Sequence, residues 1–214
     1  MIAVIDYGMG NLRSVSKALE LMGARVCVSS DPEVIGHAQK VILPGVGAFG
    51  QAMTELEKRK LTAPLRQFIS SGGPFLGICL GLQLLFEFSK ESEGVPGLAL
   101  LSGDVRSFDP SQGKIPHMGW NSVDLQIQHP LLSGIKNRSY FYFVHSYYGV
   151  PRDQNTVAGI CRYGSQTFAA MIAWRNIFAT QFHPEKSQSA GLKLLENFTH
   201  WNGHSSITTA EAIR

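Results

Sequence analysis

Charge is what this sequence is short of. Only 16% of its 214 residues are Asp, Glu, Lys or Arg, against roughly 25% in an average soluble protein. The 19 basic and 16 acidic residues leave a net charge of +3, and no basic run interleaves with aromatics, so a nucleic-acid surface is a poor first reading. Surface that Lys and Glu do not cover must be carried by other residues or buried against a partner. Long apolar runs are missing too. The richest stretch, residues 75–86, is broken by Gly and polar residues and falls short of the roughly 18 apolar residues of a membrane span. The amino terminus, Met1-Ile2-Ala3-Val4-Ile5-Asp6, has no basic segment and does not read as an export signal. The cysteines, Cys27, Cys79 and Cys161, are odd in number and lack CxxC spacing, which suits reduced thiols in the cytoplasm rather than a disulfide framework. HExxH and HxH are absent, so no metal or other cofactor is expected, and His37, His129 and His200 read as surface residues.

What is present is a 44% hydrophobic chain with 22 glycines, enough apolar material to bury a core. The first half alternates between two periods. Short apolar runs at 2–6, 25–29, 41–43 and 75–78 read as buried parallel strands. Helical spacing follows each: Leu12, Val15, Ala18, Leu19 and Met22 after a capping Asn11; a short helix opened by Asp31-Pro32-Glu33; a helical region from 52 to 70 interrupted at Pro64; and a helix over 80–88. After Gly94 six strand-like segments appear, at 105–108, 122–127, 140–144, 156–161, 168–174 and 177–181, with short turns that predict antiparallel pairs on the same sheet. A last helix over 187–201 carries Leu192, Leu195, Phe198 and Thr199 on one side. The expectation is an α/β fold: a mixed, mostly parallel central sheet flanked by helices, flavodoxin-like, with antiparallel additions in the second half. Residues 1–202 read as one domain and 203–214 as a tail that is a candidate for disorder.

Three constellations carry chemistry. In Gly77-Ile78-Cys79-Leu80-Gly81 a small residue stands two before and two after a cysteine at a strand-to-helix junction, the elbow pattern that holds a nucleophile out at the carboxyl edge of a sheet. The helix start beneath Cys79 would favour a thiolate, and the Leu80 N–H points where an oxyanion would form. Against this stands the reading of Cys79 as a small buried hydrophobe. His183-Pro184-Glu185 supplies a base and a carboxylate two residues apart, on one side of an extended chain, although a capped helix start would look alike. Pro44-Gly45-Val46-Gly47-Ala48-Phe49-Gly50 matches GxGxxG but follows the third strand with no acid about 20 residues on, so a backbone donor opposite Cys79 is preferred to a dinucleotide site. Tyr140-Phe141-Tyr142-Phe143 reads, for Phe141 and Phe143, as a strand rich in β-formers.

Together, Gly77 to Gln83 and His183-Pro184-Glu185 resemble the class I (triad) glutamine amidotransferases. Further blocks narrow the likeness to the glutaminase subunits of imidazole glycerol phosphate synthase: Asp6 to Leu12, Pro44 to Gly47, Pro116 to Asn121, Phe143 to Tyr147 and Gln181 to Ser187. The resemblance implies Cys79 as nucleophile, His183 as acid and base, and Glu185 orienting it. The oxyanion would be held by N–H groups of Leu80 and the Val46–Gly47 segment. Gln83, Glu91 and backbone at Ser146–Tyr147 would bind the amino-acid end of glutamine. Trp120, Tyr142, Lys186 and Asn11 match positions at the subunit interface and ammonia passage. It further implies a cytoplasmic protein whose partner in trans is a barrel-shaped cyclase subunit, to which ammonia passes for the synthesis of imidazole glycerol phosphate and the carboxamide nucleotide. Other classes remain open from residues alone: a stand-alone cysteine hydrolase, a catalytically inactive regulatory subunit, or a paralogue feeding another synthase.

Overall fold

The computed structural model describes residues 1–204 and 208–209. Its strands and helices run β1 (Ile2–Ile5), α1 (Leu12–Leu21), β2 (Val26–Ser29), α2 (Pro32–Gly36), β3 (Lys40–Gly45), α3 (Phe49–Lys58), α4 (Thr62–Ser70), β4 (Phe75–Cys79) and α5 (Leu80–Gln83). The second half adds β5 (Phe88–Ser89), β6 (Gly103–Ser107), β7 (His117–Ser122), β8 (Asp124–Leu125), β9 (Ile127–Gln128), β10 (Tyr140–His145), β11 (Tyr147–Pro151), β12 (Val157–Tyr163), β13 (Gln166–Trp174), β14 (Ile177–Thr180), α6 (Gln188–His200) and β15 (Thr208–Thr209).

The main sheet has eight strands in the order β2-β1-β3-β4-β14-β13-β12-β8. It is parallel from β2 to β14 and antiparallel from β14 to β8. Both faces are covered, as the apolar runs require. Along β1, Ile2 and Val4 pack with Val15 and Leu19 of α1 and Leu194, Leu195 and Phe198 of α6. Ala3 and Ile5 pack on the other side with Phe49 and Leu56 of α3 and Leu65 of α4. The alternation is the period of the pleat. Phe141 and Phe143 are fully buried, as expected of β-formers. Among the described residues no helix is long and apolar enough to cross a membrane.

Several local expectations are corrected. The additions of the second half do not all join the main sheet: β10 pairs with β7, and β6 pairs with β11 on one side and β5 on the other, as two small separate sheets. The strand expected over 122–127 is divided among the end of β7, the short β8 and the start of β9. Strand β3 runs through Pro44 to Gly45, because its ladder with β1 ends at Ile42 and only the β4 side continues. The long helix breaks at Lys60, where φ is +58°, and not at Pro64. Pro64 sits in the first turn of α4, where a missing N–H costs nothing. The helix expected over 80–88 is one turn, because the carbonyls of Leu84, Leu85, Phe86 and Glu87 accept from the returning segment at Leu98, Leu100, Leu101, Ala99 and Gly97. In α6 the buried face is Gly191, Leu194, Leu195 and Phe198, while Leu192 is exposed. Asn11 stands at the N-cap of α1 without a side-chain capping bond, whereas Asp31 caps α2 through the Glu33 N–H. His129 is buried, not on the surface. Of the tail, residues 205–207 and 210–214 lie outside the described residues, and Thr208–Thr209 pairs with β9.

Candidate active site

The site sits at the carboxyl ends of β3, β4 and β14, where an open parallel sheet places its ligands. Cys79 ends β4 with φ +55° and ψ −108°, a conformation that costs a non-glycine residue about 1–3 kcal/mol. Its flanking glycines are a steric requirement. A Cβ on Gly77 would stand 2.8 Å from the Gly81 carbonyl oxygen, and one on Gly81 would overlap the Leu43 carbonyl oxygen. The thiol is 6% exposed, and Gln181 Nε2 lies 3.8 Å from its Sγ.

His183 follows β14. Its Nδ1 pairs with Glu185 Oε1 at 2.9 Å, with side chains 2% and 0% exposed. The extended chain expected at His-Pro-Glu is corrected: Pro184–Lys186 is a short 3₁₀ turn opened by His183, without a side-chain cap, and the imidazole bonds Glu185 across it. The turn is pinned to β10, because Ser187 Oγ donates to the His183 carbonyl and accepts from the Tyr142 N–H, while the His183 N–H donates to the Tyr142 carbonyl. Burial alone would drive His183 toward neutrality, but the Cys79 sulfur and the Glu185 carboxylate outweigh it and raise the imidazole to about 10. His183 Nε2, Glu185 Oε2 and the Tyr7 hydroxyl are buried without hydrogen-bond partners. Tyr7 is held further toward its neutral form by burial and by the nearby Cys79. Unsatisfied groups are rare in native interiors, and here two of them, on Tyr7 and His183, lie near one thiol.

A cleft of about 370 Å³ opens over Cys79. It brings together Val46, Gly47, Leu80, Gln83, Glu91, Ser146 and Tyr147, with Pro116, Val144 and His145 completing the wall. Gln83 Nε2 donates to the Tyr147 carbonyl at 2.8 Å and to Gln181 Oε1 at 3.2 Å. Glu91 Oε2 accepts from the Phe49 N–H at 2.8 Å, and Ser92 Oγ from the Gly50 N–H at 3.0 Å. Those two side chains fill the start of α3, where a dinucleotide would have set its pyrophosphate. The glycine run instead makes a turn beside Cys79: Gly47 has φ +98°, and a Cβ on Gly45 would overlap the Tyr7 hydroxyl. A larger hollow of about 460 Å³, lined by Leu125, His129 and Ile135 among others, lies away from Cys79 and contains no cysteine.

Trp120 and Tyr142 face each other across the β7–β10 pair, with ring centroids 6.1 Å apart, and Lys186 Nζ stands 5.9 Å from the Tyr142 ring. Trp120 is 45% exposed and Met118 and Tyr140 are 62% exposed, an apolar face beside the cleft. Asn11 precedes α1, which packs against the Pro184–Lys186 turn. Sequence reasoning gave no role to Gln181, Ser187, His117 or His145. Each lies inside a block already singled out, but no spacing rule marks it.

The profile of the "Glutamine amidotransferase class-I" family matches residues 3–201. The imidazole glycerol phosphate synthase subunit HisH of Rhodopirellula baltica is 51% identical over 199 residues, 92% of this chain and 96% of that one. Its counterpart from Cyanothece sp. is 54% identical over 200 residues, 92% of this chain and 94% of that one. Among solved structures, PurLQS from Thermotoga maritima superposes with a TM-score of 0.75 at 18% identity, covering 93% of this chain and 97% of that one, which speaks to the fold alone. The chain thus belongs to the class I glutamine amidotransferases, in the branch of the HisH glutaminase subunits of imidazole glycerol phosphate synthase, which serve histidine biosynthesis.

Proposed function

We propose that Cys79, His183 and Glu185 hydrolyse glutamine and that the ammonia passes to a separate, barrel-shaped cyclase subunit in the cytoplasm. Cys79 Sγ attacks the side-chain amide carbon of glutamine. The resulting oxyanion is held by N–H groups of Leu80 and the Val46–Gly47 turn. His183 Nε2 gives its proton to the departing nitrogen, ammonia leaves, and a thioester remains. His183 then takes a proton from water as the water attacks the thioester, and collapse returns the thiolate and releases glutamate. Glu185 holds the imidazole through Nδ1 and stabilises its charged form. Gln83, Glu91 and the Ser146–Tyr147 backbone hold the amino-acid end of the substrate, with the Glu91 carboxylate suited to its ammonium group.

The observation that carries this reading is the strained Cys79 at the floor of a cleft, with a buried, partnered imidazole beside it whose protonated form the thiol and carboxylate favour. The exposed Met118, Trp120 and Tyr140 next to that cleft support a docking face for the cyclase subunit. Ammonia would leave past Trp120, Tyr142, Lys186 and Asn11. The experiment is glutamate release from glutamine by the chain alone, then with cyclase subunit and its nucleotide ligand. Strong activation is expected. Vigorous hydrolysis by the chain alone would overturn the requirement for the partner, and failure of a glutamine-like electrophile to label Cys79 would overturn the triad.

A further inference from the structure

Two buried histidines have no part in the triad, His145 in the wall of the cleft and His117 behind it. His117 is 3% exposed and His145 is 6% exposed, and His117 Nδ1 meets His145 Nε2 at 3.0 Å. The remaining nitrogens fix where the protons are. His145 Nδ1 faces the Tyr147 carbonyl at 2.8 Å, and a carbonyl has no proton to give, so that Nδ1 carries the hydrogen. His145 Nε2 is then a lone pair and accepts from His117 Nδ1–H. His117 Nε2 is a lone pair in turn and accepts from Asn121 Nδ2 at 3.3 Å. Asn121 is anchored by the Arg162 carbonyl at 2.9 Å and by the Ser122 N–H, which donates to its Oδ1. Both rings are neutral in this chain of donors, and burial lowers both imidazoles, to about 4 and about 3. The Tyr147 carbonyl therefore takes two donors, His145 Nδ1–H and Gln83 Nε2–H. Gln83 also donates to Gln181, whose own amide reaches Cys79 Sγ. One directed network thus runs from β7 to the nucleophile through the part of the cleft wall assigned to the amino-acid end of the substrate.

We propose that the His117–His145 pair is a positioning device for the glutamine backbone, fixing the Tyr147 carbonyl and Gln83 so that the substrate's amide carbon arrives at Cys79. This rests on the glutaminase reading above. The essential feature is a donor at the Nδ1 position of His145. Asn can place an amide N–H there, whereas Gln places it where Nε2 stood, and Leu supplies none.

The test compares His145→Asn, His145→Gln and His145→Leu. Cys79 inactivation is measured with the chloroketone analogue of glutamine and, separately, with iodoacetamide, which needs no amino-acid subsite. The concentration for half-maximal inactivation by the analogue should rise about tenfold in the Gln and Leu variants, the loss expected from one neutral hydrogen bond. The Asn variant should stay within about twofold of the parent, and iodoacetamide alkylation should stay within about twofold in all three. A space-filling role would instead rank Gln and Leu above Asn, and that order, or equal loss with both reagents, would overturn the proposal. His117→Asn, which keeps a donor toward His145, should match the parent, so a loss there equal to that of His117→Leu would also overturn it. Absence of saturable labelling in the parent protein would instead overturn the glutaminase reading on which the proposal stands.

Discussion

Replacing Glu185 by Gln keeps the shape of the His183 partner and removes its charge, so the consequence can be worked from the geometry. His183 stands at about 10 against an ordinary 6.5. At roughly 1.4 kcal/mol per pH unit that is on the order of 5 kcal/mol in favour of the imidazolium, left over after burial has worked against it. The Cys79 sulfur and the Glu185 carboxylate both favour the charge, and removing the carboxylate should cost roughly 1.5–3 kcal/mol, the range for a hydrogen bond to a charged group. The His183 midpoint should then fall by roughly one to two pH units in Glu185→Gln. Titration of the ring followed by NMR of labelled histidine in both proteins measures it. The sign for stability follows from the same shift. A base raised in the folded state contributes stability that is fully present below about 6.5 and lost as pH climbs through about 10. The deficit of the variant in urea unfolding should therefore be greatest near pH 6 and vanish toward pH 10. An unchanged midpoint, or a deficit that grows with pH, would refute the assignment of Glu185 as the charge partner of His183.

Gly81→Ala drives a Cβ into the Leu43 carbonyl oxygen and should cost about 3 kcal/mol or more, read as a drop in thermal midpoint. Gly47→Ala is different, since its φ of +98° strains an L-residue while the Met9 tip it would meet can move. The protein should fold with a loss of about 1–2 kcal/mol, and glutaminase turnover in the complex should fall further than stability accounts for. Trp120→Ala removes an exposed ring and should leave unfolding within about 0.5 kcal/mol while weakening association with a cyclase subunit by about 2 kcal/mol, measured by calorimetry. Burial lowers His117 and His129 to about 4 and His145 to about 3. The unfolded chain binds more protons than the folded one between those values and about 6.5, so stability should decline as pH falls through that window. His129→Leu, at a site where Nε2 has no partner, should flatten the decline in chemical unfolding series.

What could be read directly from the sequence was whatever is fixed by local sterics. The runs at Ile2, Val41 and Phe75 are apolar at consecutive positions because both faces of their strands are covered. Gly77 and Gly81 bracket Cys79 because no other residue fits beside the Gly81 and Leu43 carbonyls. His183 and Glu185 are two residues apart, close enough to pair without help from the rest of the fold. The misreadings have the opposite character. Leu80 to Phe88 has helical composition, but the carbonyls that would continue the helix are claimed by residues 97–101, a competition no window over 80–88 contains. His129 looks like a loop histidine until Phe178 and Trp201 close over it from distant elements. The His117–His145 contact joins β7 to β10 through a register set by pairing across the small sheet. Gln181 acquires its place at the sulfur only when β14 lies beside β4. Cys79 and the His183–Glu185 pair were therefore legible as motifs, and Gln83, Glu91 and Ser146–Tyr147 through a family resemblance, while Gln181 and the His117–His145 contact were not. Orientation depends on where two strands distant in sequence come into register, and only the folded sheet decides that.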